Sequence, residues 1–328
     1  MAPNRRKLLR AWWEGRPAIL AVGLAMVEQK PLIAVPTTSH PSLRVAVAEH
    51  FQLAAETDDI EVRGLVVPAS EGASDELLAL YPNLEIVSVY GVGLDKVNRE
   101  ILKRRKIELA HTSGVLDSTV AEHALALLLA ATRRVREADD FVRGGEWVQG
   151  SFPLGRGLAG KRCGIVGLGR IGKEVARLGE AFGMRISYFG RRRQADVAHN
   201  FFESLWDLAH QSDILILTLP GSAETRAIVN SEILCELGPE GILVNVSRGS
   251  VVDQAALVEA LEYGDLGAAA LDVFEDEPHV PAELIALPNV VLTPHLGSAT
   301  EECRQSMRDL VIENLRCYFA GREVPGRA

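Results

Sequence analysis

Four short motifs carry residue types able to do chemistry at a shared site. The first is Gly167-x-Gly169-x-x-Gly172, within GIVGLGRIGKEVARLGEAFGM. Such a glycine pattern alone is weak, but here the apolar run Cys163–Val166 leads in and an amphipathic stretch, Ile171–Phe182, leads out. The glycines therefore fall at a strand-to-helix turn. There Gly167 permits a tight turn, Gly169 lets the backbone approach a pyrophosphate with no Cβ in the way, and Gly172 lets helix and strand pack closely. The helix N-terminus adds free N–H groups and a positive dipole, so a dinucleotide site is implied.

The next strand, Arg185–Phe189, ends in Gly190-Arg191-Arg192-Arg193. No acid stands there, although an NAD site usually places one about 20 residues on to hold the ribose 2′-hydroxyl. Arginines would otherwise be a solvated loop, but at this strand end guanidinium groups suit a 2′-phosphate through charge-assisted bonds. NADP(H) is expected in preference to NAD(H). Three further motifs also follow apolar runs: Asn245-Val246-Ser247-Arg248-Gly249-Ser250, Leu271-Asp272-Val273-Phe274-Glu275-Asp276-Glu277-Pro278 and Thr293-Pro294-His295-Leu296-Gly297-Ser298. In an open α/β sheet, ligands sit beyond the carboxyl ends of the strands. Arg248, Glu277 and His295 lie just past such ends, so one crevice can receive all three.

The elements that must position these groups alternate short β-branched runs with helix-length amphipathic stretches, which predicts parallel α/β architecture. In the first third, strands are expected at Ile19–Gly23 or Leu32–Val35, then at Gly64–Val67, Ile86–Tyr90 and Ile107–Ala110, with a helix at Ser74–Leu80. From Ser118 the pattern becomes one long helix reaching Arg143, with Asp117 or Ser118 as N-cap and Leu125, Leu128, Leu129 and Thr132 at helical spacing. A helix this apolar is a candidate hinge or subunit contact, or an ordinary core helix. A second strand series follows at Cys163–Val166, Arg185–Phe189, Ile214–Thr218, Ile242–Val246, Ala268–Val273 and Val290–Thr293. Its non-alternating apolar strands imply helices on both faces. A last helix spans about Thr300–Phe319, with Met307, Leu310, Val311, Leu315 and Phe319 on one stripe.

Together these motifs resemble the D-isomer-specific 2-hydroxyacid dehydrogenase family, over nearly the whole chain from about Ile60 to Gly321. The resemblance implies two Rossmann-like, doubly wound parallel domains. A dinucleotide-binding domain, 118–296, would be inserted into a flavodoxin-like substrate domain built from 1–117 and 297–328. It implies that His295 is the general acid/base, Glu277 its partner and Arg248 the substrate anchor. Within Tyr90-Gly91-Val92-Gly93-Leu94-Asp95, the backbone N–H groups of Val92 and Gly93 would hold the substrate carboxylate. Asp272 would face the nicotinamide amide. The cofactor set is completed by Leu168, Arg170, Ile171, Leu219, Pro220, Thr225, Val246 and Gly297.

The chemistry suits those types. Reduction of a 2-oxo acid needs a hydride at C2 and a proton on the carbonyl oxygen, and histidine titrates near neutrality. A neighbouring carboxylate favours the imidazolium, and an arginine fork orients the substrate and polarises its carbonyl. Within the family, the strand end at Gly190 and the Tyr90–Asp95 loop look most like NADPH-dependent glyoxylate/hydroxypyruvate reductases. Runners-up are 2-ketogluconate and hydroxyphenylpyruvate reductases, and, in a different class, a corepressor-like NAD(P)-sensing scaffold. His111, His123 and His210 lack a comparable setting and are expected to have no catalytic role. Trp147 either lines the substrate mouth or packs a loop.

Composition narrows the classes further. With 328 residues, 35 Lys+Arg against 44 Asp+Glu and a net charge of −9, the chain has the size of about two domains. It lacks the broad positive surface that nucleic acids or anionic membranes require. The apolar run Ala18–Val27 is far short of the roughly 20 residues that span a bilayer. Four cysteines without C-x-x-C spacing favour a reducing compartment and no metal site. A cytoplasmic enzyme and a homodimer are expected.

Overall fold

Runs of β-branched and aliphatic residues with no polar alternation form the strands, because both faces of each sheet are covered by helices. The computed structural model of the protein describes residues 30–55 and 59–328. Of the two candidate first strands, Ile19–Gly23 lies outside the described residues, and Leu32–Ala34 forms β1. It is followed by β2 (Gln52–Leu53), β3 (Gly64–Pro68), β4 (Ile86–Tyr90) and β5 (Glu108–His111), all parallel. Their order is β2-β1-β3-β4-β5, the flavodoxin-like arrangement.

A second parallel sheet holds β6 (Arg162–Val166), β7 (Arg185–Phe189), β8 (Asn200–Phe202), β9 (Ile214–Leu217), β10 (Ile242–Asn245), β11 (Ala268–Leu271) and β12 (Val290–Leu292). Its order is β12-β11-β10-β9-β6-β7-β8. The strand order reverses between β6 and β9, the switch point at which a doubly wound sheet binds its ligand. Two short edge strands, β2 and β8, are absent from the sequence expectation; with two and three residues they carry almost no periodic signal.

Helix α1 (Pro41–His50) covers the first sheet, where Leu43 and Val47 are fully buried. Helix α2 (Asp117–Arg133) serves both sheets. Leu116 and Val120 join the core of the first, while Ala121, Ala124, Leu125 and Leu128 join the core of the second. The expected single helix to Arg143 is broken: Arg134 adopts a left-handed conformation (φ 52°) and α3 (Val135–Arg143) starts anew. Arg134 is held there by a hydrogen-bonded ion pair to Glu137 and by stacking over the Phe152 ring, 5.1 Å away. The N-cap position also differs. Leu116 occupies it without a side-chain cap, and Asp117 is the first helical residue.

Helix α4 (Arg170–Ala181) leads out of the glycine turn and packs on α2. Helix α5 (Glu301–Phe319), capped by Thr300, returns the end of the chain to the first sheet. Its Met307, Val311 and Leu315 sit in the same core as Ile33, Val66 and Ile86. Among the described residues, no helix is long and apolar enough to cross a membrane.

Candidate active site

The glycine turn has the geometry its sequence demands. Gly167 sits at φ +96°, and a Cβ there would meet the backbone of Leu219 at 2.8 Å. A Cβ on Gly172 would lie 2.4 Å from the Gly167 carbonyl, whereas around Gly169 nothing lies within 4 Å. Gly167 and Gly172 are thus fixed by packing, and Gly169 leaves open space before the first turn of α4, which no side chain caps. Uncapped N–H groups beside open space fit a pyrophosphate. The carbonyl of Leu168 accepts a bond of 2.6 Å from the Gln194 side chain, which ties the arginine loop to this turn. Gly190 has open space around it, and Arg191 and Arg192 are exposed with no ion pair among the described residues. That surface suits the ribose end of a nicotinamide dinucleotide.

The remaining sequence-predicted cofactor residues divide by setting. Arg170 Nε bonds Asp117 at 2.8 Å, and Ile171 and Val246 are half-buried between the two cores. Leu219 and Pro220 follow β9 at the switch point. The Thr225 hydroxyl is engaged within its own loop, donating to the Pro220 carbonyl at 2.8 Å.

Three strand ends deliver the reactive groups. After β10, Asn245 organises its own turn: Oδ1 accepts from Ser247 N and Oγ, and Nδ2 donates to the Arg248 carbonyl. Gly249 then packs so tightly on Phe274 and Glu275 that a Cβ would fall 1.9 Å from a backbone carbon. This contact sets the Arg248 loop beside the Glu277 loop. The Glu277 carboxylate accepts from His295 Nδ1 at 2.8 Å and from the Phe274 N–H at 3.0 Å. Burial pushes its carboxyl pKa up, but the His295 hydrogen bond and charge, the Phe274 N–H and the Arg248 charge outweigh that and hold it below the usual carboxylate range.

His295 itself has φ +55°. Its N–H donates to the Asp272 carbonyl at 2.9 Å, and the next two N–H groups, of Leu296 and Gly297, donate to the Asp272 carboxylate at 2.7 and 2.8 Å. That carboxylate also accepts from Thr293 and pairs with His123 Nε2 at 3.1 Å. Asp272, which the resemblance aims at the nicotinamide amide, is 1% exposed and clamps the turn that carries His295. His123, set aside on sequence, belongs to this network through partners 149 and 170 residues away. His210 lies elsewhere, stacked on Trp206 and paired with Glu236.

In the loop after β4, the Val92 and Gly93 N–H groups make no hydrogen bond among the described residues. Arg248 reaches this loop, with Nη2 against the Gly93 Cα. A continuous set of contacts therefore runs from the Gly167 turn to Leu219, from Gly221 to Arg248 and from Arg248 to Gly93. Arg248, Glu277, His295, Val92 and Gly93 share one region beyond the strand ends.

Residues 125–297 match the family described as D-isomer specific 2-hydroxyacid dehydrogenase, NAD binding domain. The chain belongs to the D-isomer-specific 2-hydroxyacid dehydrogenases. It is 45% identical over 282 residues to glyoxylate/hydroxypyruvate reductase A of Arabidopsis thaliana, covering 86% of this chain and 90% of that protein. It is 46% identical over 261 residues to hydroxyphenylpyruvate reductase of Plectranthus scutellarioides, covering 80% and 83%. The crystal structure of an NADPH-dependent glyoxylate/hydroxypyruvate reductase from Sinorhizobium meliloti, in complex with NADP and malonate, superposes with a TM-score of 0.87 at 39% identity, covering 91% of this chain and 97% of that one. Like its relatives, this dehydrogenase is an NAD(P)-dependent oxidoreductase.

Proposed function

We propose that the enzyme reduces a small 2-oxo acid, glyoxylate or hydroxypyruvate, to the D-2-hydroxy acid with NADPH as the preferred donor. The observation that carries this reading is the convergence of two unbonded N–H groups, Val92 and Gly93, with the Arg248 guanidinium and the His295–Glu277 pair. In this reading the N–H groups and Arg248 bind the substrate carboxylate, and Arg248 also polarises the 2-oxo group. Glu277 holds Nδ1 of His295, so Nε2 donates the proton to the carbonyl oxygen. When bound, reduced nicotinamide supplies the hydride to C2. Gly167, Gly169, Gly172 and the start of α4 hold its pyrophosphate, and Arg191 and Arg192 its 2′-phosphate.

The matched family segment supports a cofactor domain over 118–296 and a substrate domain over 1–117 and 297–328, with Asp117 and Gly297 at the crossings. A homodimer accords with the exposed apolar side chains of Val135, Val142, Trp147, Val148 and Leu154 on one stretch of chain. Trp147 is 68% exposed. A cytoplasmic setting accords with four unpaired cysteines.

The test is a panel of glyoxylate, hydroxypyruvate, 2-ketogluconate and hydroxyphenylpyruvate, each with NADPH and NADH, followed by loss of nicotinamide absorbance. Glyoxylate or hydroxypyruvate should give the highest kcat/KM, and with NADPH. Turnover of none of the four would favour the sensing scaffold.

A further inference from the structure

The Arg248 guanidinium is gripped by a carboxylate of the loop after β4, Asp95, which has no other hydrogen bond or ion pair among the described residues. Asp95 Oδ1 accepts from Arg248 Nε at 3.2 Å, and Arg248 Nη1 donates to the Ser247 carbonyl at 2.8 Å. Both partners are largely withdrawn from solvent, with side chains 24% and 22% exposed. Two of the three guanidinium nitrogens are thereby committed. The third, Nη2, makes no hydrogen bond among the described residues. It lies where a Cβ on Gly93 would stand, 1.6 Å from that point, and Asp95 Oδ1 is 2.9 Å from the same point. Only glycine at 93 leaves room for both groups.

We propose that Asp95 is the positioning residue for Arg248, fixing Nε so that Nη2 and the Val92 and Gly93 N–H groups converge on one substrate carboxylate. A long arginine side chain otherwise loses rotamer freedom when the substrate binds. Here the bonds to Asp95 and to the Ser247 carbonyl hold that side chain in one arrangement. Asp95 takes Nε and leaves Nη2 without a hydrogen-bond partner among the described residues. The inference rests on Arg248 being the substrate anchor.

Asp95→Asn, Asp95→Glu, Arg248→Lys and the double variant Asp95→Asn/Arg248→Lys are compared by steady-state kinetics with glyoxylate and NADPH. Binding of oxamate, an unreactive 2-oxo acid analogue that keeps the carboxylate and the adjacent carbonyl, to the enzyme–NADPH complex gives a readout independent of turnover. Asp95→Asn should lower kcat/KM and oxamate affinity about 10- to 100-fold, the range for a charged hydrogen bond. Its NADPH affinity and Tm should stay near those of the parent. Asp95→Glu should recover part of the loss, and the double variant should be no worse than Arg248→Lys alone. Parent-like values in Asp95→Asn, tighter oxamate binding, additive losses, or a loss matched by a fall in Tm would each overturn the proposal. Parent-like kinetics and oxamate binding in Arg248→Lys would instead overturn the anchor reading, so the two failures are distinct.

Discussion

A non-glycine residue in the left-handed region costs about 1–2 kcal/mol of backbone energy, and His295 is held there at φ +55° by three hydrogen bonds to Asp272. Strain maintained by a buried carboxylate marks a residue whose direction matters. Replacing His295 by Asn removes the proton donor at Nε2 but leaves the dinucleotide surface untouched. The expected outcome is a fall in kcat of about 10²- to 10⁴-fold with NADPH affinity, measured by nicotinamide fluorescence, within twofold. Normal reduction by this variant would remove His295 from the mechanism. Glu277→Gln keeps the shape but removes the anionic acceptor at Nδ1 of His295, so kcat with glyoxylate should fall about tenfold or more while NADPH affinity stays near the parent's. A parent-like kcat would show that the carboxylate does not orient its partner for proton donation.

Among the elements, the turn from β6 to α4 and the arginine loop after β7 divide the cofactor between them. Gly190→Asp with Arg191→Ala introduces an acceptor for a 2′-hydroxyl, repels a 2′-phosphate and removes one of its partners. The ratio of kcat/KM for NADPH over NADH should fall at least about tenfold; an unchanged ratio would show that this loop does not read the ribose. The strands that carry these groups were legible because both their faces are buried, which produces unbroken apolar runs such as Ile214–Leu217 and 242–244. The break at Arg134 was not, since Phe152 and Glu137 decide it and residues 118–143 read as helix throughout. The site splits the same way. Arg248, Glu277 and His295 each follow a strand end within a local motif, so type and spacing expose them. Asp95 with Arg248, 153 residues apart, and His123 with Asp272 are pairs made only by the fold, and no local pattern encodes them.

At the scale of the whole molecule, the Asp272 carboxylate joins chain segments that enter and leave the second sheet. His123 stands early in α2, just after the first crossing, and Thr293, Leu296 and Gly297 lead into the second. Burial pushes this carboxyl up, but the bonds from His123, Thr293 and the Leu296 N–H exceed that effect and leave it below the ordinary value. A carboxylate whose pKa is lowered by folding stabilises the protein fully above its unfolded value, about 3.9, and loses that contribution as pH falls through the folded one. The parent enzyme should therefore lose Tm on acidification below about pH 4, with Asp272 among the causes. Asp272→Asn cannot titrate and cannot satisfy the same donors. Its Tm near neutral pH should be lower by an amount corresponding to about 2–4 kcal/mol, and the gap should narrow toward pH 3. Thermal unfolding of the cofactor-free proteins between about pH 3 and 7 measures both effects without involving nicotinamide binding. Two curves that stay parallel over that interval would mean that the buried carboxylate is not linked to folding, and that the crossings are held together by packing alone.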